Sequence, residues 1–187
     1  AFFAYCGLET TAGLWASSYL VLYRGIEAGA AAKWASLFYL GITGGRFLNG
    51  FIVDRLGNQN MIRIGLGIIT MGLLAVVLPV KLNLVTLIGL VLIGLGCAPI
   101  YPCIIHETPR RFGSENSQAL IGIQMASAYT GSTLLPPVFG LLVKVIGIGF
   151  YPIYLGLFLI TMVAMTERLN RIIDTRTLNN EALIGPR

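Results

Sequence analysis

The stretch GRFLNGFIVDRLGNQN, Gly45 to Asn60, starts inside an apolar run and ends with Asp54 and Arg55 side by side, Gly57 two residues later. An acid, a base and a glycine closing such a run mark a helix that leaves a membrane and turns at its surface. Composition agrees, because 56% of the 187 residues are hydrophobic and 11% are charged, against roughly 25% charged in an ordinary soluble domain. The 23 glycines suit helices that pack closely in lipid through small side chains. Cys6, Cys97 and Cys103 lie in apolar runs without CxxC spacing. They read as small buried hydrophobes rather than as a disulfide framework.

Working outward, six apolar stretches approach the roughly 20 residues needed to cross a bilayer. They cover about 1–23, 30–53, 61–80, 84–105, 117–145 and 150–166, joined by YRGIEAG, DRLGNQN, KLN, HETPRRFGSEN and VIGIG. The chain reads as an all-α membrane protein, with a unit of six transmembrane helices over 1–166 and a polar, partly ordered tail over 167–187. Connectors two and four and the tail hold Arg55, Arg63, Arg110, Arg111, Arg168, Arg171, Arg176 and Arg187. The other connectors offer Arg24, Lys33, Lys81 and Lys144. The positive-inside rule therefore places the DRLG loop and the C-terminal tail in the cytoplasm. No basic segment precedes the first apolar run, so it is not read as a signal peptide; the chain is expected to be a fragment of a longer protein.

Sliding the sequence on itself by 90 residues sets Tyr39–Gly57 on Tyr129–Gly147, with six of nineteen positions identical. These are Tyr39/Tyr129, Gly41/Gly131, Thr43/Thr133, Gly50/Gly140, Val53/Val143 and Gly57/Gly147. A repeat of three helices enters the membrane with opposite topology the second time. The expectation is two inverted three-helix repeats, about 1–83 and 84–166. Asp54-Arg55 then lies at one surface and its mate, Lys144-Val145, at the other.

GFIVDRLG, Gly50 to Gly57, resembles the G-x-x-x-D-R-x-G loop signature of the major facilitator superfamily. Tyr5–Leu20 (YCGLETTAGLWASSYL) and Gly94–Gly113 (GLGCAPIYPCIIHETPRRFG) resemble the seventh and tenth helices of its fucose and hexose permease-like branch. The resemblance covers nearly the whole chain and implies the C-terminal six-helix half of a transporter. It makes Gly50, Asp54, Arg55 and Gly57 a gating loop, with Arg46 as an associated ion-pair residue. One departure is Asn58-Gln59, where family members often carry two basic residues; Arg63 follows further on.

The pathway can also be read from polarity, since polar groups in a span face a bundle interior or a wet cavity. The third and sixth stretches are nearly purely apolar, with Thr70 and Thr161 as exceptions, and read as lipid-facing supports. The others carry the polar residues. Glu9 sits about two turns into the first helix, with Tyr5, Ala12, Gly13 and Ala16 on its face, a mostly small surface that leaves room for a ligand or water. Glu9 reads as a substrate-binding carboxylate or proton carrier, or else as a structural partner of Arg46. Arg46, roughly 12 Å before Asp54 along the helix, reads as structural or gating. Asn49 belongs to the same neighbourhood. Tyr5, Tyr101, Gln124 and Ser127 are further candidates for substrate or proton binding, with interhelical hydrogen bonding the alternative for Gln124 and Ser127. Trp15 reads as an aromatic-belt residue or a stacking surface for a sugar ring. His106 and Glu107 read as interfacial. Pro99 with Pro102, and Pro136 with Pro137, are expected to kink their helices.

The sequence shows no metal-ligand cluster, phosphate-binding loop or Ser-His-Asp set, so neither an enzyme, a metal site nor an organic cofactor is expected. Nucleic acid binding has no support, because the formal charge of +5 follows from topology. The expected function is transport of a small polar solute, possibly a sugar, by alternating access, with proton coupling. A transporter-like receptor or assembly subunit that does not translocate is the alternative. Expected partners are the solute, the bilayer of a plasma or inner membrane, and a missing N-terminal six-helix half or a second copy of the chain.

Overall fold

The computed structural model describes residues 1–78 and 83–184, with side chains described for these except 114, 116, 174 and 176–184. Lys81 and Arg187, used above for orientation, lie outside the described residues. The described chain is α1 (Phe2–Leu22), α2 (Ala28–Leu56), α3 (Asn58–Val77), α4 (Asn83–Cys97), α5 (Ile100–Phe112), α6 (Ser114–Ile146), a single 3-10 turn (Ile148–Phe150) and α7 (Tyr151–Ile184). Among the described residues four segments are long and apolar enough to cross a membrane: Asn58–Val77, Asn83–Phe112, Ser117–Ile146 and Ile148–Ile173. The helices α1 and α2, at 21 and 29 residues, have the length but carry polar residues along their spans.

Helix ends follow local chemistry. The Glu27 carboxylate accepts from the Gly29 and Ala30 N–H groups at 2.8 and 2.9 Å, capping α2. At the other end Gly57, with φ of 78°, takes a backbone conformation that side chains disfavour, and its N–H donates to the Val53 carbonyl at 2.8 Å. Its repeat mate Gly147 does the same, with φ of 94° and a 2.9 Å bond to Val143. Arg24 Nη2 donates to the Val76 and Leu78 carbonyls at 2.7 and 2.9 Å, satisfying the C-terminus of α3.

The two proline pairs behave differently. At Ala98-Pro99 the helix breaks into α4 and α5. Through Pro136 and Pro137, where a kink is expected, α6 runs on without a break. Its neighbours support that turn, since Trp15 Nε1 donates to the Pro136 carbonyl at 3.1 Å and the Tyr154 hydroxyl to the Leu135 carbonyl at 2.9 Å. Beyond Glu167 the polar segment continues α7 as helix to Ile184. No glycine or proline interrupts that sequence before Gly185.

Packing is extensive between α3 and α4, α1 and α6, and α2 and α4. These helices approach backbone to backbone. A methyl group on Gly72 would lie 2.7 Å from the Gly89 carbonyl oxygen, and one on Gly89 the same distance from that of Gly72. The repeat mates Gly41 and Gly131 make matching contacts: a side chain on Gly41 of α2 would strike the Val91 carbonyl of α4, and one on Gly131 of α6 the Phe3 carbonyl of α1. Buried aromatics bind the bundle from within, with the Tyr5 hydroxyl donating to the Cys97 carbonyl at 3.1 Å and that of Tyr151 to the Ala12 carbonyl at 2.8 Å.

Two outcomes follow from this packing. Gly72→Ala should lower stability by about 1–3 kcal/mol through overpacking, whereas Gly67→Ala, with nothing within 4 Å, should be neutral or stabilising; thermal unfolding in detergent compares them. Backbone hydrogen bonds from Gly29 and Ala30 hold the exposed Glu27 carboxyl below its ordinary value of 4.5. Its cap is therefore complete above that value and lost as pH falls through the lowered pKa. Melting temperature should drop on acidification from about pH 6 to about pH 3, and Glu27→Gln should remove part of that slope.

Candidate functional site

A large cavity, about 1180 Å³, opens between α2 and α5 at the DRLG end of the bundle. From α2 it is lined by Arg46, Asn49, Gly50, Val53, Asp54, Arg55 and Leu56, and at the turn by Gly57 and Asn58. From α5 come Tyr101, Pro102, Cys103, His106 and Arg110. Helical spacing explains the first set, because Arg46, Asn49, Gly50 and Val53 stand at i, i+3, i+4 and i+7 on one face. The α4–α5 break turns Tyr101, His106 and Arg110 toward the same space.

Glu9 stands beside this cavity rather than on its wall. Its Oε1 lies 3.8 Å from Arg46 Nη2, with the two side chains 24% and 55% exposed. That distance joins charges without a hydrogen bond, which would bring the heavy atoms to about 2.7–2.9 Å. The small face around Glu9 does not leave room for a ligand. Tyr5, Ala12 and Ala16 are fully buried, and the space beside Gly13 is filled by the Tyr39 hydroxyl.

The other sequence candidates separate. Asn49 and Tyr101 line the cavity; Tyr101 also donates to Met125 Sδ at 3.2 Å and packs its ring 5.0 Å from that of Phe2. Tyr5 points to the Cys97 carbonyl within the core. Trp15 is fixed in the α1–α6 contact by its bond to Pro136 and an edge-on ring contact with Phe139 at 5.2 Å. Gln124 Nε2 donates to Thr108 Oγ1 at 2.9 Å, and Ser127 donates to its own helix at Ile123. These four do not line the large cavity.

Two features go beyond the interfacial reading of His106 and Glu107. Arg110 and His106 supply the α5 wall, so the side chains across from Asp54 come from α5 and none from α6. Next to the cavity, Glu107 joins three helices. It accepts from Asn58 Nδ2 at 3.0 Å and from Arg111 Nε at 3.1 Å, and Arg111 Nη2 donates to Asn170 Oδ1 at 2.9 Å. The i, i+4 spacing of Glu107 and Arg111 was the available signal. Asn58 thus makes an interhelical bond, from α3 to α5. Arg63 is also engaged, in a two-pronged pair with Glu167 at 2.8 and 2.9 Å across α3 and α7. Among the described residues no cluster of three His, Cys, Asp or Glu is placed to hold a metal ion.

Comparison with known proteins gives one match. Residues 1–174 fit the family model described as Major Facilitator Superfamily. No curated protein and no solved structure matches the chain. A family match over nearly the whole length joins an all-helical bundle with four helices apolar enough to span a membrane and with charges gathered at a cavity between helices. The chain belongs to the Major Facilitator Superfamily of membrane transporters.

Proposed function

We propose that the chain is the C-terminal six-helix half of a secondary active transporter, related to the fucose and hexose permease-like branch, that moves a small polar solute by alternating access. The six spans are α1, α2, α3, α4 with α5, α6 and α7. They form inverted repeats over about 1–83 and 84–166, followed by a cytoplasmic tail over 167–187. Support comes from the repeat mates: Gly57 and Gly147 close their helices in the same way, and Gly41 and Gly131 each seat the second helix of one repeat on the first helix of the other. Such an exchange is what a pseudo-two-fold axis in the membrane plane produces.

The observation that carries the transport reading is the Glu9–Arg46 pair at the edge of a cavity that also holds Asn49, Asp54, Arg55 and Tyr101. An acid inside a span is disfavoured unless protonated, paired or hydrated, and here the pairing is long and partly open to water. Such a carboxylate can exchange its partner for a proton, which is the requirement for coupling. Gly50, Asp54, Arg55, Gly57 and Arg46 act as the gate at the cytoplasmic end. The exposed apolar ridges of α3 and α7, including Met71, Leu74, Leu157 and Ile160, face lipid. Those of α2 and α6, including Phe47, Phe51, Leu134 and Leu141, meet the N-terminal half or a second copy.

Uptake into sealed vesicles with and without an imposed pH gradient tests the reading. Gradient-driven uptake is expected; its absence would favour a receptor or assembly role. Glu9→Gln in the full-length protein should reduce uptake to the rate seen without a gradient while the melting temperature stays unchanged. Driven uptake at the wild-type rate would remove Glu9 from coupling.

Asp54→Asn should shift the population toward inward-open forms. Labelling of a cysteine placed beside Asp54 from the cytoplasmic side should then rise several-fold. Unchanged labelling would show that the loop only shapes the turn.

A further inference from the structure

The large cavity carries an imbalance that a neutral solute does not answer. Arg46, Arg55 and Arg110 line it together with His106, against a single carboxylate, Asp54. Glu9 offsets part of the Arg46 charge, but at 3.8 Å it takes no hydrogen bond, and the Arg46 side chain stays 55% exposed. A guanidinium presents five donors in a planar fork whose geometry matches a carboxylate. Those donors are open to the cavity.

A second observation lies one turn along α2. Asn49 is 8% exposed, lines the same cavity, and its Oδ1 has no hydrogen-bond donor. A buried amide oxygen without a donor is a cost that a ligand hydroxyl would relieve once the Asn49 side chain turns to present that oxygen to the cavity. Arg46 and Asn49 are three residues apart on one helix face, so their side chains start about 5–6 Å apart. That spacing suits a carboxylate and a hydroxyl carried a few bonds apart on one small molecule.

We propose that the solute held here is a hydroxylated carboxylate, of the hydroxy-acid class, with its carboxylate on Arg46 and a hydroxyl donating to Asn49 Oδ1. Its translocation rests on the transporter reading above; its binding rests on the cavity alone. Arg55 and Arg110 extend the positive field toward the cavity mouth and draw the anion in. The solute and Glu9 compete for Arg46, so removing the Glu9 charge tightens solute binding.

Titration calorimetry of the purified full-length protein with gluconate, glucose, hexanoate and inorganic phosphate tests this. Gluconate should bind, with glucose, which lacks the charge, and hexanoate and phosphate, which lack the carbon-borne hydroxyl, each about tenfold weaker or more. Arg46→Lys should retain weakened gluconate binding. Arg46→Gln should abolish the preference over glucose, Asn49→Leu the preference over hexanoate, and Glu9→Gln should strengthen gluconate binding. The proposal is overturned if glucose or phosphate binds as tightly as gluconate, if Arg46→Gln weakens every probe equally, or if gluconate does not bind. Gluconate-selective binding without vesicle uptake would sink the transport reading and leave this one standing. Uptake of a neutral hexose indifferent to Arg46→Gln would do the reverse.

Discussion

Close approach of helix backbones is the constraint on which the rest of the structure depends. In hydrocarbon there is little hydrophobic gain from bringing apolar helices together, so dispersion contacts must supply it, and these need short distances. The chain meets that need at Gly72 and Gly89, and again where Gly41 and Gly131 rest on the Val91 and Phe3 carbonyls. Because α4 packs against both α2 and α3 through such contacts, the break at Ala98-Pro99 falls at a fixed place relative to α2. That break turns α5 so that its polar side faces the Arg46 stripe.

The resulting cavity separates two kinds of polar group. Some are consumed by the structure: Glu107, Arg111, Asn58 and Asn170 satisfy one another across α3, α5 and α7, and Gln124 is bonded to Thr108. Others are left with capacity to spare. Arg46 has a distant partner, Asn49 Oδ1 has no donor, and Asp54 and Arg55 line the cavity wall. Saturated groups hold the helix ends in register, and unsaturated ones are free to meet a solute or to exchange partners during a conformational change.

Much of this was legible in the residues. Helix positions were accessible because a membrane composition leaves few alternatives to helix, and the turn at Gly57 because a glycine after an acid-base pair has one structural use there. Pairing of Arg46 with Glu9 was one of two readings of the acid. Less legible was the fate of the small face around Glu9, which looks open in sequence but is filled by Tyr39 and by packing against neighbouring helices. Likewise Trp15 and Gln124 have side chains suited to a sugar, yet both are taken up by interhelical bonds. A residue type states what bonds it can make; neighbours decide whether any remain.

The sequence by itself determined the solvent, the helices, their glycine-closed turns and the family, because composition, periodicity and a local motif act over a few residues at a time. Tertiary structure alone decided which polar side chains share a space. Arg110 and His106 lie about sixty residues from Arg46 in the chain, and only the helix packing and the α4–α5 break bring them to one cavity. Proline chemistry shows the same division: all four prolines remove a backbone donor, yet α6 continues through its pair while α4 ends at the other. Local chemistry proposes a bend at both, and the bonds from Trp15 and Tyr154 brace the turn that stays helical.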